Sequence, residues 1–279
     1  MHIPHHDNQN QAIVDRDNEK TPLCYFNIVK LTKGESFTSQ VEGYETCLVP
    51  ATGSIDVSVA DQHFAAVGKR MHIWEGEPEG VYVPLSTEVT FTCVSDQAEV
   101  FISGARHDEV YKPFVVRESD IDPVQYGSDD TKTHRKIKHI LGKSQAGQVG
   151  RLLVSELFTV GAGGWSGFPP HKHDTDTLPA ETRHDEVYNF RFNPEHGFGA
   201  QFLTQEGEEM GDVFHIRNGS TIQIEKGYHP CVAGPGYEMY YFTILAGKSQ
   251  RPLHQNFHPE HAYQLETIPG MKDMISKFK

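Results

Sequence analysis

The stretch GGWSGFPPHKHDTDTLPAETRHDEVYNFRF, residues 163–192, carries the strongest structural signal in the chain. It begins with a glycine-rich segment and continues through the His-Lys-His sequence of residues 171–173. It ends in EVYNFRF, residues 186–192, a run of β-branched and aromatic residues of the kind that forms strands. The stretch therefore predicts a loop and a strand that place histidines beside a β-sheet.

Similar strand-like runs occur on both sides of this stretch and are separated by glycine and proline, of which the chain has 25 and 16. The runs are SIDVSV, VYVPL, EVTFTCV, AEVFISGA, RLLVSELFTV, STIQIEKG and EMYYFTILAG. Helical periodicity is weak and predicts helices only at residues 133–141 and in the C-terminal PGMKDMISKFK, residues 269–279. This pattern predicts an all-β protein, either a sandwich or a double-sheet jelly roll.

Length and weak internal similarity together predict two related domains. The chain has 279 residues, about twice the length of a typical domain. MHIW at residues 71–74 resembles FHIR at residues 214–217, and AEVFISGA resembles YYFTILAG, in each case about half the chain apart. The predicted division is a flexible tail over residues 1–20, a first domain over residues 21–127 and a second domain over residues 128–279.

Composition limits the partners of the protein. The net charge of −13 repels phosphate backbones and anionic lipid, and no apolar run is long enough to cross a membrane. The first twenty residues are polar and lack the apolar core of an export signal. The four cysteines lie far apart, as expected for reduced thiols. We expect a cytoplasmic protein that acts on a small molecule and binds neither nucleic acid nor membrane, with a homo-oligomer as an open alternative.

Four residues of the second half form a candidate metal site. On an extended strand residues i and i+2 share a face, so His171 and His173 can converge on one ion. Glu186 begins the strand-like run downstream, and His229 follows the turn expected at Gly227. Three neutral imidazoles and one carboxylate suit one divalent transition metal and leave a position for water or substrate. Zinc is favoured, and iron, manganese and nickel are alternatives.

The order of these residues resembles the two sequence motifs of cupins. The gap between His173 and Glu186 is longer than in simple cupins, so Glu181, His184 and Asp185 are alternatives for the fourth ligand. Glu186 is favoured because it continues into a strand, whereas Glu181 lies in a predicted loop. The first half has no comparable set of ligands and is predicted to be a degenerate cupin domain, so one metal is expected per chain.

Three segments together resemble the 5-deoxyglucuronate isomerase family of bacterial myo-inositol catabolism, which is related to the uronate ketol-isomerases. They are GGWSGFPPHKHD at residues 163–174, EVYNFRF at residues 186–192 and GYHPCVAGPGYEMYYFTILAG at residues 227–247. The resemblance implies a bicupin, that is, two tandem double-stranded β-helix (jelly-roll) domains. It also implies a metal-dependent aldose–ketose isomerase, an intramolecular oxidoreductase that converts 5-deoxy-D-glucuronate to 5-dehydro-2-deoxy-D-gluconate.

The resemblance places the metal ligands on the four residues chosen above: His171, His173, Glu186 and His229. Isomerisation also needs an acid–base group near the reacting carbons. The candidates are Glu181, Tyr188, Tyr241 and Asp174. A basic residue is expected to bind the substrate carboxylate. The candidates are Lys172, Arg183 and Arg191. Either arginine is alternatively a surface ion-pair partner, because strand side chains alternate between two faces.

Two other functions use the same residues. A cupin iron dioxygenase would consume oxygen, whereas a non-enzymatic sugar-acid-binding bicupin would use its metal for stability. Within the isomerase reading, residues 175–182 and the surroundings of Asn189 are less typical of the family. A neighbouring deoxy-uronate is therefore an alternative substrate.

Overall fold

The computed structural model describes residues 1–278, which contain 23 β-strands, two 3₁₀ segments and two α-helices. The strands of the first half are β1 His2–Ile3, β2 Ala12–Val14, β3 Cys24–Thr32, β4 Ser36–Ser39, β5 Tyr44–Thr52, β6 Ile55–Val59, β7 Gln62–Val67, β8 Gly80–Val83, β9 Val89–Cys93, β10 Gln97–Arg106 and β11 Phe114–Val116. Those of the second half are β12 Val124–Tyr126, β13 Arg135–Leu141, β14 Leu152–Thr159, β15 Gly164–Ser166, β16 His171–Lys172, β17 His184–Asn193, β18 Phe198–Leu203, β19 Asp212–Arg217, β20 Thr221–Ile224, β21 Cys231–Ala233, β22 Glu238–Gly247 and β23 Asn256–Phe257. The 3₁₀ segments are Glu118–Asp120 and Lys143–Gln145, and the helices are α1 Gln264–Thr267 and α2 Met271–Phe278. No helix among these is long and apolar enough to span a membrane.

The prediction of an all-β protein is confirmed, and one of the two predicted helices is wrong. Residues 133–141 contain the strand β13, which pairs with β12 and β14. Weak helical periodicity was overridden there by strand pairing, which buries the alternate residues Arg135 and Ile137. The C-terminal helix is confirmed as α2; the last predicted residue, Lys279, lies outside the described residues.

The first half of the chain forms an N-terminal sandwich of two antiparallel sheets. The larger sheet has the order β11-β8-β5-β10-β3-β2, and the smaller has the order β4-β9-β6-β7. Alternate residues of each strand face inward, as Ile55, Val57 and Val59 of β6 do. These side chains and those of the facing sheet, such as Leu48 and Val100, form one hydrophobic core. The core is filled by aliphatic and aromatic groups.

The second half forms a C-terminal sandwich around the predicted site. Its largest sheet has the order β1-β20-β17-β22-β14-β13-β12 and faces a four-stranded sheet, β15-β21-β18-β19. A short two-stranded sheet, β16-β23, lies beside them. Strands β10 and β22, whose sequences suggested an internal repeat, each lie between two other strands in one of the two large sheets. Two such double-sheet units confirm the expected bicupin fold.

A third hydrophobic core joins the two large sheets back to back. Phe101 of β10 lies 4.9 Å from Phe242 of β22 and 5.9 Å from Phe26 of β3, measured between ring centroids. On β22 the even-numbered residues, including Tyr240 and Phe242, pack in this core. The odd-numbered residues, including Tyr241, pack on the opposite face. Strand alternation therefore leaves one face of the seven-stranded sheet for a site.

Buried polar groups also connect the two sandwiches. The Glu45 carboxylate accepts hydrogen bonds from three successive backbone N–H groups, those of residues 150–152, at 2.6–2.8 Å. Arg70 forms a buried ion pair with Glu156, which also accepts a hydrogen bond from the Tyr240 hydroxyl at 2.9 Å. Buried charges satisfied in this way require a specific relative placement of the two sandwiches.

Residues 1–20 do not form an unpaired tail, and this prediction is corrected. Strand β1 pairs with β20 of the seven-stranded sheet, and β2 pairs with β3 of the six-stranded sheet. The amino group of Met1 donates a hydrogen bond to the carbonyl oxygen of Gln223 at 2.6 Å. The segment supplies partners for the edge strands β20 and β3, whose backbone groups would otherwise be unpaired. We propose a domain boundary just before β12, because β12 already pairs with β13.

Replacing Phe101 by alanine is expected to destabilise the whole chain by about 3–5 kcal/mol, because it opens a cavity in the shared core. Chemical unfolding followed by far-UV circular dichroism and by aromatic fluorescence measures this change. Since the core belongs to both sandwiches, the two signals should shift together in one transition. The control Phe198→Ala removes a ring that is 45% exposed and should cost less than about 1 kcal/mol. Two separated transitions in the wild type would contradict the shared core.

Candidate metal centre and active site

Backbone pairing positions two of the predicted histidines at the mouth of the C-terminal sandwich. His171 lies on β16, which pairs with β23, and His173 follows two residues later. The backbone N–H of His184 donates to the carbonyl oxygen of His173 at 2.9 Å and so ties the segment to the start of β17. Lys172 lies between the two histidines, and its ammonium group pairs with acidic residues away from their rings. The ring centroids of His171 and His173 lie 6.2 Å apart, so the two side chains are close to each other on this segment.

His171, His173 and His229 converge into one buried group. Their ring centroids lie 6.2, 4.9 and 4.8 Å apart for the pairs 171–173, 171–229 and 173–229. One ring nitrogen of each lies within 4.8 Å of the other two. Among residues 1–278 this is the one cluster of three such side chains with metal-binding spacing. The group can hold a metal ion.

The hydrogen-bonding positions of the three imidazole rings leave the Nε2 atoms for a metal. Each Nδ1 faces a backbone carbonyl oxygen: Pro169 at 3.3 Å for His171, His184 at 3.3 Å for His173 and Gly227 at 2.8 Å for His229. A proton on Nδ1 makes these contacts hydrogen bonds and leaves the Nε2 lone pair available. The Nε2 atom of His229 is buried and has no hydrogen-bond partner among the described residues. Burial also lowers the pKa of His171, which favours the neutral ring that a metal requires.

Glu186 completes the predicted set from the neighbouring strand β17. Its Oε2 lies 3.0 Å from Nε2 of His173 and 3.3 Å from Nε2 of His229. Its Oε1 accepts a hydrogen bond from the Thr243 hydroxyl at 2.9 Å. Burial opposes ionisation of this carboxyl, but the hydrogen bond with His173 and the charges of His173 and His229 outweigh burial and hold its pKa below the usual range. The structure thus provides an ionised carboxylate that faces the histidines.

The three alternatives for the fourth ligand have other partners. The Glu181 carboxylate accepts hydrogen bonds from Lys172 at 2.8 Å and from the backbone N–H of Asp174 at 2.7 Å. The Asp185 carboxylate lies on the opposite face of β17 and accepts the backbone N–H of Leu23 at 3.0 Å. The Nε2 atom of His184 lies 3.1 Å from a carbonyl oxygen of the C-terminal segment. These contacts leave Glu186 as the best placed of the four.

Asp174 positions the turn that presents His229. Its Oδ2 accepts the backbone N–H of Gly227 at 2.8 Å, while its Oδ1 lies 3.0 Å from the Lys172 ammonium group. Gly227 has a φ of 93°, and a Cβ at this position would lie 2.8 Å from the carbonyl oxygen of Thr204. Glycine is therefore required in the turn. Asp174, a candidate acid–base group, acts here as a link between the two histidine-bearing segments.

A cavity of about 40 Å³ lies beside the histidines on the inner face of the seven-stranded sheet. Its polar lining groups include Arg135, Ser155, Tyr188, Tyr241 and Gln255. Phe168 and the methionines of α2 close its apolar side. A space of this size holds a few water molecules. A larger ligand therefore requires movement of lining side chains.

The tyrosines predicted as acid–base groups both line the cavity, whereas Glu181 does not. Burial raises the pKa of Tyr188 and of Tyr241, so both phenols remain protonated near neutral pH. The oxygen of Tyr241 accepts a hydrogen bond from Arg135 at 2.8 Å and lies 2.6 Å from the Ser166 hydroxyl. The rings of Tyr188 and Tyr241 are 4.4 Å apart. Tyr188 lies between Tyr241 and the histidine group, its ring 6.3 Å from that of His229.

The structure does not bring the three predicted carboxylate-binding residues to the cavity. Lys172 is held by Asp174 and Glu181 on the other side of its strand. Arg191 pairs with Glu99 of the N-terminal sandwich at 2.9 Å, because the odd-numbered residues of β17 face that sandwich. Arg183 also lies outside the residues that line the cavity. Neighbouring side chains of a strand point to opposite faces, and the sequence alone does not say which face borders the cavity. This alternation explains why Lys172 and Arg191 point away from the cavity.

Three residues of the site were missed by sequence reasoning. Thr243 could have been found, because it shares a strand face with Tyr241. Arg135 was hidden by the wrong helix prediction for its segment. Gln255, whose amide nitrogen lies 2.9 Å from Nε2 of His171, returns from a distant part of the chain and has no local signal. Each is placed by strand pairing rather than by a motif.

Two double-sheet sandwiches, one of which surrounds a buried three-histidine group, define a two-domain protein of the cupin type. Comparison with known families is more specific. The chain belongs to the KduI/IolB family, whose pattern matches residues 2–264.

Individual relatives agree with this assignment. The chain is 32% identical to the 5-deoxy-glucuronate isomerase of Geobacillus kaustophilus over 87% of its own length and 86% of the relative. It is 30% identical to the enzyme of the same name from Listeria innocua over 91% and 92% of the two chains. The crystal structure of an IolB-like protein from Salmonella typhimurium has a TM-score of 0.84 and 30% identity, covering 91% and 94%. Bacillus subtilis oxalate decarboxylase shares the fold alone, with a TM-score of 0.62 and 10% identity, covering 96% and 81%.

Replacing His229 by alanine is expected to weaken metal binding by about 100-fold or more, because one of the converging nitrogen ligands is lost. Affinity is measured by competition with a chelating dye, and metal content by mass spectrometry after dialysis. The control His63→Ala removes an exposed ring and should leave about one metal per chain. A folded His229→Ala protein with wild-type affinity would remove His229 from the ligand set.

Replacing Glu186 by glutamine tests whether its carboxylate binds the metal. The change keeps the shape but removes the charge, so we expect metal affinity to fall by about tenfold or more. The matched control Glu181→Gln alters another buried carboxylate that pairs with Lys172, and it should keep its metal. If Glu186→Gln retains full metal content but loses activity, Glu186 is an acid–base group rather than a ligand.

Proposed function

We propose that this protein is a metal-dependent aldose–ketose isomerase that converts 5-deoxy-D-glucuronate to 5-dehydro-2-deoxy-D-gluconate. The observation that carries the proposal is the cavity lined by Tyr188, Tyr241 and two members of the three-histidine group, His171 and His173. Relatives that share about a third of their residues with this chain over most of its length bear the name of this isomerase. Both the chemistry of the cavity and the family support the same reaction class.

His171, His173, His229 and Glu186 are proposed to hold one divalent metal, with zinc favoured and iron, manganese or nickel as alternatives. The donor set fits, because the buried Nε2 of His229 has no hydrogen-bond partner among the described residues and the Nδ1 atoms face backbone carbonyls. When bound, the metal supplies a Lewis acid that polarises the carbonyl oxygen and the neighbouring hydroxyl of the sugar.

Tyr188 is proposed to move the proton that the reaction requires between oxygens. In any aldose–ketose isomerisation, the C2 hydroxyl loses a proton and the C1 oxygen gains one. A protonated phenol can donate its proton to the C1 oxygen as it accepts the proton of the C2 hydroxyl, so the phenol is restored; the carbon-bound hydrogen moves separately from C2 to C1. Arg135 fixes Tyr241 through a hydrogen bond, and the ring of Tyr241 packs against that of Tyr188. Tyr241 therefore holds Tyr188 in place. These contacts give Tyr188 the best position for this role.

Substrate entry requires the C-terminal segment to move. A six-carbon acid exceeds the present cavity, and Gln255 together with Met271 and Met274 of α2 forms part of its wall. Met271 and Met274 belong to α2, the last element of the chain, and Gln255 directly precedes the short strand β23. We propose that α2 and Gln255 open to admit substrate and close to exclude water.

An NMR time course with 5-deoxyglucuronate tests the function directly. The C1 signal of the aldose should disappear at the rate at which the hydroxymethyl signal of the ketose appears. Removing metal with a chelator should stop the reaction, and adding a divalent metal should restore it. Tyr188→Phe should lower kcat by about 100-fold with metal content unchanged, whereas Tyr263→Phe, at a residue that is 64% exposed, should not.

Other outcomes identify the competing functions. Oxygen uptake with carbon–carbon cleavage would establish a dioxygenase. Binding of the sugar acid without turnover, together with metal removal that changes only the melting temperature, would establish a binding protein. In D₂O, deuterium at the former aldehyde carbon indicates proton transfer, and its complete absence indicates a hydride shift between the two carbons.

A further inference from the structure

We propose that Arg135 binds the carboxylate of the substrate and makes the site selective for sugar acids over neutral sugars. The inference rests on the proposed function for the identity of the sugar, but the anion-binding role of Arg135 can be tested separately. Arg135 lies on β13 and lines the same cavity as His171, His173 and Glu186. It is none of the basic residues that the sequence suggested for this role.

The surroundings of Arg135 leave its charge uncompensated. The residue is 3% exposed, and its guanidinium donates hydrogen bonds to the hydroxyl oxygens of Tyr126 at 2.9 Å and Tyr241 at 2.8 Å. Its Nε is buried and has no hydrogen-bond partner in the part of the chain that the structure describes. Within residues 1–278 no ion pair to a carboxylate is formed by this guanidinium. Both of its partners are neutral phenols.

A second buried arginine shows how the same chain treats this charge elsewhere. Arg70 is 5% exposed, but both of its terminal nitrogens bind the carboxylate of Glu156. Burying an arginine without an anion is energetically unfavourable, and pairing with a carboxylate offsets this cost. Arg135 is buried to a similar extent but has no carboxylate partner, and it borders the cavity. An anion that enters the cavity supplies the missing partner.

The hydrogen-bonding capacity of Arg135 matches a carboxylate. A guanidinium has five N–H groups, and two are directed at Tyr126 and Tyr241, so others remain for an incoming ligand. A planar fork of this kind can bind both oxygens of a carboxylate. A hydroxymethyl group at the same place offers no charge and a weaker acceptor. The geometry therefore favours the acid over the alcohol.

The position of Arg135 suits a ligand that spans the cavity. Glu186 lies on β17 and Arg135 on β13, with β22 and β14 between them, about 14 Å across the sheet. Their side chains both extend into the space between, so the remaining gap is shorter. The carbon chain of an extended hexuronate is about 6 Å long from the C1 aldehyde to the C6 carboxylate. The aldehyde can approach the histidines while the carboxylate meets Arg135.

Steady-state kinetics and calorimetric binding of Arg135→Met test the proposal with two compounds, 5-deoxyglucuronate and its neutral analogue 5-deoxyglucose. We expect KM and Kd for the acid to rise by about 100-fold, while values for the neutral analogue change by less than about threefold. Arg135→Lys keeps a charge but loses the planar fork, so its preference for the acid should be intermediate. The control Lys136→Met removes a charge from the adjacent residue, which pairs with Glu77, and should resemble wild type.

Each outcome supports or overturns the carboxylate-binding role of Arg135 independently of the reaction. In one outcome, wild type binds the acid in preference to the neutral analogue without isomerising it. If Arg135→Met then abolishes this preference, the carboxylate-binding role of Arg135 is supported and the proposed function is wrong. If wild type isomerises the acid and a folded Arg135→Met or Arg135→Lys protein keeps the full preference for the acid, Arg135 does not bind the carboxylate and the proposed function is supported. An equal loss of kcat for both compounds would show that Arg135 only positions Tyr241. If Arg135→Met does not fold, Arg135→Lys decides the question.

Discussion

The packing of the two large sheets against each other is the constraint on which the rest of the structure depends. Phe26, Phe101 and Phe242 occupy the space between the sheets, and buried aliphatic residues pack around them. Because side chains alternate along a strand, filling one face of β17 and β22 commits the other face to the site. The shared core thereby decides which residues can reach a metal or a substrate.

The site itself is built by satisfying polar groups that burial would otherwise leave costly. Backbone carbonyls orient the three imidazoles, and Asp174 joins the segment of His171 and His173 to the turn of His229. Lys172 and Glu181 form a buried ion pair behind these histidines. These interactions give the histidines a fixed geometry before any ion binds, which reduces the ordering cost of binding. Among the described residues that line the cavity, Arg135 is a buried cation without an ion pair to a carboxylate.

The N-terminal sandwich contributes support rather than ligands. It has no equivalent of the histidine pair, but its Leu23 and Glu99 bind Asp185 and Arg191, which flank the inward-facing residues of β17. The strand that presents Glu186 and Tyr188 is therefore held from behind by the first half of the chain. This arrangement explains how a domain without a site of its own can be needed for the site of its neighbour.

The sequence by itself determined the features that depend on local spacing and on the chemistry of side chains. The period of two in EVYNFRF identified β17, the separation of His171 and His173 placed both on one face, and the mixture of imidazole and carboxylate indicated a metal. Only the tertiary structure decided which face of each strand was turned inward. Alternation places neighbouring side chains on opposite faces of a strand, but it does not say whether the odd-numbered or the even-numbered residues face the core. For that reason Lys172 and Arg191 were expected at the site and lie elsewhere. Arg135 and Gln255 reach the cavity because distant strands pair, and no local pattern records such pairing.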